Sequence, residues 1–214
     1  MAQLTILAPA QHGRGDRSPL GRLAASYSEH VDAAQRQLSD QIDDATQRLL
    51  GTARVIAEPD LRAPSLLPGW TRAHVLAHLA RGADAMRNVL IGARSGQERP
   101  AYASDQARAA AIEHGATRPA RELLADLADS AMALRTITRQ LPDAAWPFPV
   151  RIGASAVFPA AELLPRRLVE VELHHGDLGT GYGPAAWPAS FAAMDLAEPM
   201  QSLRQDRLNR AQRA

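Results

Sequence analysis

A chain of 214 residues has room for one well-packed domain and little more. With 24 basic and 23 acidic residues, its formal charge of +1 supplies no broad field for nucleic acid or an anionic membrane surface, so small-molecule work is expected. The absence of cysteine excludes a disulfide framework, a thiolate metal site and a cysteine nucleophile, which leaves histidine and carboxylate to carry any metal.

Apolar residues make up 46% of the chain but aromatics only 4%, a balance that favours closely packed helices over a sandwich of β-branched strands. Residues 1–27, with Gly, Pro and both charges in no clear period, read as a flexible arm or capping segment. The apolar start lacks a basic leader and is interrupted by Pro9, so it does not read as a signal peptide. Nowhere do 18 uncharged apolar residues run together, and a cytoplasmic protein with no membrane span is expected.

A first helix is expected over 28–57, because Val31, Leu38, Ile42, Leu49 and Ile56 recur at helical spacing. Pro59, Pro64 and Pro68 mark the loop that follows. Thr71 is a candidate N-cap for a second helix to about Arg94, with Ser95-Gly96 as its stop. Ser104-Asp105 caps a helical stretch that Gly115 is expected to break, and a longer helix is predicted over 119–141. Residues 146–158 read as an irregular connection with room for a short hairpin. Further helices are expected over 159–177 and from 188 to beyond 203. The expected divisions are thus an arm over 1–27, a bundle over 28–203 and a polar tail over 204–214. Four long helices with two long connections imply a bundle that is not a simple up-and-down hairpin set.

Two short segments hold more ligand-type side chains than helix packing needs: His74 with His78, and Glu170 with His174. Residues four apart lie one turn above each other on a helix, so each pair can address one centre, and facing bundle helices build metal sites from such side chains. A nitrogen and oxygen donor set suits a borderline divalent ion, zinc first, with nickel or ferrous iron also chemically compatible. Histidines four apart also occur by chance, and a Glu four residues before a His is a common surface pair. The spacing alone leaves both readings open.

The run from Leu66-Leu67-Pro68-Gly69-Trp70-Thr71 through His74-Val75-Leu76-Ala77-His78 resembles the opening signature of the mycothiol-dependent maleylpyruvate isomerase family, in the DinB-like superfamily. The likeness continues through Asp84, Asn88, Arg94-Ser95-Gly96, Tyr102, Arg108 and Glu113-His114-Gly115. It resumes at Arg167, Glu170, His174 and Asp177-Leu178-Gly179, and so covers about 40–200. It implies an all-α, DinB-like four-helix bundle with long crossover connections. It also implies a catalytic divalent metal, usually zinc, on His78, Glu170 and His174, and mycothiol as co-substrate. The implied activity is addition of a metal-activated thiol to an electrophilic small molecule, with cis-trans isomerisation as its outcome. A thiol S-transferase in biosynthesis or detoxification is the alternative, and a non-catalytic DinB-like binding module is a further one.

Some positions depart from the family pattern. Gly82 stands where many members have Asn, and Gly92 where Trp is frequent; both changes are expected to reshape the pocket. The sequence carries no counterpart of the additional C-terminal domain of longer members, so a different thiol-binding surface or a partner chain, such as a second copy in a homodimer, is expected. His74 is expected to support the site from behind rather than bind metal, His175 to lie at a rim or surface, and Glu172 to be solvated. Arg81 and Arg167 are candidates to hold a carboxylate of thiol or substrate, with a plain salt bridge as the competing reading. Trp70 and Trp146 read as packing anchors, and Asp177 as the end of its helix.

Overall fold

The structure is a computed structural model that describes residues 19–213, with side chains from residue 33 onward. Residues 1–18, most of the expected arm, lie outside the described residues. The first helix, α1 (Pro19–Arg54), begins well ahead of residue 28 and takes in the last part of the segment expected to be arm. It buries Ala45, Leu49, Leu50 and Ala53, while Ile56 falls beyond its end.

A four-residue turn of helix, α2 (Glu58–Leu61), sits in the long connection to α3 (Arg72–Ser95). Both ends of α3 fall where the sequence puts its signals. Thr71 accepts from the His74 backbone N–H, the His74 ring accepts from that of Thr71, and Gly96 closes the helix in the left-handed conformation. Helix α4 (Asp105–Ala116) is capped by Ser104 and runs through Gly115, which does not break it. A side-chain carbon at Gly115 would come within 2.9 Å of the Ala77 Cβ, so this glycine is a close contact between α3 and α4.

Helix α5 (Ala120–Arg139) leads into the second long connection. There β1 (Pro149–Val150) and β2 (Phe158–Pro159) form a minimal antiparallel pair, with Val150 opposite Phe158. Pro159 is therefore strand, and α6 (Leu163–Asp177) starts after a 3₁₀ turn at Ala160–Glu162. The last expected helix is two: α7 (Ala189–Ala192) and α8 (Met200–Ala211). Pro199, which lacks an N–H to continue a helical ladder, precedes the second. The expected polar tail is continuous with α8 as far as Ala211.

Helix α3 packs on α5 and α6, and α1 packs on the same two, so the four long helices form a ring in which α1 faces α3 across the diagonal. Both long connections therefore cross the bundle, one from α1 to α3 and the other from α5 to α6. Helix α3 also carries α4 on its outer side. Its many Ala and Gly positions, among them Ala73, Ala77, Ala80 and Ala83 at 1% exposure or less, let neighbouring backbones approach it on several sides.

Candidate metal centre

The start of α3 and the end of α6 are pinned together. The Leu66 N–H donates to the Asp177 carbonyl at 2.8 Å, and Arg72 Nε donates to that of Leu178 at 2.7 Å. His78, two turns into α3, thereby faces Glu170 and His174 on the last turns of α6. The His78 Nε2 lies 3.1 Å from Glu170 Oε2 and 3.2 Å from His174 Nε2, and His174 Nε2 lies 3.8 Å from Glu170 Oε2. Metal bonds of about 2.0–2.1 Å at a tetrahedral angle put donor atoms about 3.3–3.4 Å apart, so this triangle fits one borderline divalent ion and leaves a fourth position.

The surroundings suit that donor set. His174 Nδ1 donates to Asp177 Oδ2 at 2.9 Å, which fixes the ring proton on Nδ1 and turns the Nε2 lone pair to the centre. Burial lowers the His78 pKa against the pull of Glu170, favouring the neutral imidazole a metal needs. Burial pushes the Glu170 carboxyl up, but the His78 hydrogen bond and the charges of His78, His174 and Arg167 outweigh it and hold the group at about 2. One contact works against an ion. Arg108 Nη2 lies 3.2 Å from His78 Nδ1, and a guanidinium only donates, so the His78 proton resides on Nε2. An ion at Nε2 requires the other tautomer, and Arg108 must then turn aside.

His74 takes no part in the triangle. Its Nδ1 accepts from the Thr71 N–H at 3.2 Å and its Nε2 lies 3.1 Å from Glu113, so it is a helix-capping residue. Trp70 does more than anchor the loop, since its ring meets that of His78 edge-on with centroids 5.4 Å apart. Trp146 is buried, as an anchor should be.

Glu172 and His175 correct their expectations. Glu172 is 1% exposed, held by Arg48 at 2.6 Å and by the Tyr182 hydroxyl. His175 is 2% exposed, bonded to Thr52 at 2.8 Å and stacked on Tyr182. Helix α6 therefore carries polar side chains on two faces, a partly exposed one turned to the centre with Glu170 and His174 and a buried one turned to α1 and the loop after α6.

A cavity of about 380 Å³ opens beside the triangle, lined by His78, Glu170, Tyr102, Arg108, Arg166 and Met200 among others. Its size lies within the range of small-molecule sites. Gly82 borders it, as expected. Gly92 does not: its α-carbon is covered by the returning chain, where a Cβ would come 2.6 Å from the Gln97 carbonyl. Neither Arg81 nor Arg167 lines this cavity. Arg81 pairs with Asp126 at 2.6 Å and Asp84 at 3.2 Å. Arg167, 1% exposed, donates to the Leu79 carbonyl, and burial brings its pKa down to about 10 against the pull of Glu170.

Arg108 and Arg166 occupy the positions facing the cavity instead. Arg166 is engaged by Glu162 at 3.2 Å, whereas Arg108 has no carboxylate partner among the described residues. Asp177 could have been found from its spacing of three after His174; Arg166 carried no local signal.

The chain resembles known proteins in sequence and in fold. Among solved structures, that of the mycothiol-dependent maleylpyruvate isomerase superposes with a TM-score of 0.70 at 29% identity, covering 73% of this chain and 65% of that one. A histidine-to-alanine mutant of that enzyme gives 0.70 at 28%, with the same coverage. The chain thus spans less than two thirds of the length of the solved structures it matches. No curated protein matches. The family model described as the mycothiol maleylpyruvate isomerase N-terminal domain matches residues 42–179, the stretch that contains all three corners of the triangle. On that match, over well more than half its length, the chain belongs to the mycothiol maleylpyruvate isomerase N-terminal domain family.

Proposed function

We propose that the protein is a divalent-metal- and mycothiol-dependent enzyme of the maleylpyruvate isomerase type, working in the cytoplasm, with zinc on His78, Glu170 and His174. The observation that carries the reading is the triangle of donor atoms 3.1–3.8 Å apart at the wall of a small-molecule cavity. A divalent ion held there lowers the pKa of a bound thiol, so that a thiolate is available near neutral pH to a chain that has no cysteine of its own.

The chain's own residues supply the rest. Glu170 stays ionised, His78 is kept neutral, and Asp177 orients His174. Arg108 offers the cavity an uncompensated positive charge for an anionic group of the electrophile, the part expected of Arg81 and Arg167. Addition of the thiol across an activated double bond leaves a single bond; rotation and expulsion of the thiol, with return of the proton, give the opposite geometric isomer. If the thiol stays attached, the same site is an S-transferase.

The test is metal analysis of the purified protein with product analysis on maleylpyruvate, with and without mycothiol. About one zinc per chain and isomerisation only with thiol are expected. A stable thiol adduct identifies the S-transferase, and binding without turnover in the presence of metal and thiol refutes the enzyme reading.

A further inference from the structure

Beyond residue 179, where the family match stops, the chain still reaches the site. From α8, Arg207 Nη2 donates to Asp177 Oδ2 at 2.7 Å, the same oxygen that accepts from His174 Nδ1 at 2.9 Å. The Asp177 side chain is 2% exposed and that of Arg207 14%, so the pair is largely screened from water. Pro199 ahead of α8, with Met200 and Leu203 on its first turn, lines the cavity beside His78 and Glu170.

We propose that α8 is a working wall of the metal site and that Arg207 is a positioning residue acting on His174 through Asp177. The proposal rests on the reading of His174 as a metal ligand. A carboxylate buried against a neutral imidazole alone would lose its solvation with one neutral donor to replace it, and it would tend to turn away toward water. The Arg207 guanidinium supplies the opposite charge and a second directed N–H, which holds Oδ2 where it can accept from His174 Nδ1. With that proton fixed, only Nε2 of His174 is free to face Glu170 and His78. Carboxylates that orient a ligating imidazole matter for metal affinity by roughly 10- to 100-fold. An arginine that orients such a carboxylate acts on the same quantity from one step further out.

The neighbouring Arg204 separates this role from mere docking of the helix. It lies on α8 one turn before Arg207 and donates to the Phe191 carbonyl at 2.8 Å, so it ties the helix down without touching Asp177.

The test compares wild type, Arg207→Ala, Arg207→Lys and Arg204→Ala by zinc competition against a chromophoric chelator. It adds nitrogen-15 spectra of the His174 imidazole in the metal-free proteins. Arg207→Ala should weaken zinc binding roughly 10-fold or more, Arg207→Lys should recover part of the loss, and Arg204→Ala should stay within about twofold of wild type. In the spectra, His174 should be a single Nδ1–H tautomer in wild type and a mixture in Arg207→Ala. The proposal is overturned if Arg207→Ala keeps both the affinity and the tautomer, or if Arg204→Ala loses as much affinity as Arg207→Ala. If wild type takes up no zinc, the metal reading falls, and the tautomer comparison alone then decides whether Arg207 positions His174.

Discussion

Replacing Arg108 by Ala should tighten zinc binding, although Arg108 lies against a metal ligand. Its Nη2 is 3.2 Å from His78 Nδ1 and favours the tautomer that a metal cannot use. The imidazole spans about 2.2 Å and a zinc–nitrogen bond adds about 2 Å, which places the guanidinium charge about 7 Å from the ion. A single positive charge and a double one at that distance repel by about 1 kcal/mol even with the dielectric constant of water. Breaking the Arg108–His78 hydrogen bond to free Nδ1 costs about 1 kcal/mol more. Removing both terms should lower the zinc dissociation constant by about 2 kcal/mol, or roughly thirtyfold. Chelator competition at neutral pH, with Arg108→Gln as a second variant whose carbonyl can accept from Nδ1–H, measures this directly. An unchanged or weaker affinity in both variants would refute the tautomer argument. The same substitutions should raise KM for an anionic electrophile, since they remove the uncompensated charge in the cavity.

His78→Ala should lose zinc on dialysis and lose turnover with it, and full activity in a metal-free His78→Ala protein would remove the triangle from the chemistry. Gly115→Ala, which at an ordinary helical glycine would stabilise, should instead cost about 1–3 kcal/mol in denaturant unfolding because the new methyl meets Ala77; a gain in stability would show that α3 and α4 part without cost. Glu172→Leu should cost about 1–3 kcal/mol by the same assay while leaving zinc affinity within about twofold, since it strips the Tyr182 hydroxyl and the partly exposed Arg48 of their buried partner on the side of α6 away from the centre. A large loss of zinc affinity in that variant would mean that the polar cluster and the metal site are one network.

Much of the fold was legible because its signals are local. Thr71 and Gly96 bracket α3 through capping chemistry that a few neighbouring residues complete. What misled was chemistry completed by residues remote in sequence. Gly115 has the look of a helix break, yet it answers to Ala77 on another helix. Glu172 and His175 look like solvated polar positions, and no short window reveals that Arg48, Thr52 and Tyr182 will meet them. The start of α1 was hidden for a different reason: Leu20, Leu23, Ala24 and Tyr27 already carry the helical spacing, but they follow directly on a stretch rich in Gly, Pro and both charges and so read as part of the arm.

The site divides along the same line. Helical spacing makes Glu170 and His174 a pair, but it rates His74 and His78 equally, because both lie on one face of α3. The structure separates them by the demands of the helix end: Thr71 and Glu113 use both nitrogens of His74, leaving His78 to face α6. A residue that caps a helix cannot also lend its lone pair to a centre on another element, so choosing between two equivalent histidines depended on knowing where the helix begins. Thr71 carried that information in the sequence. A histidine three residues after a threonine N-cap can close the capping box with its ring, which argues against it as a ligand before any tertiary contact is known.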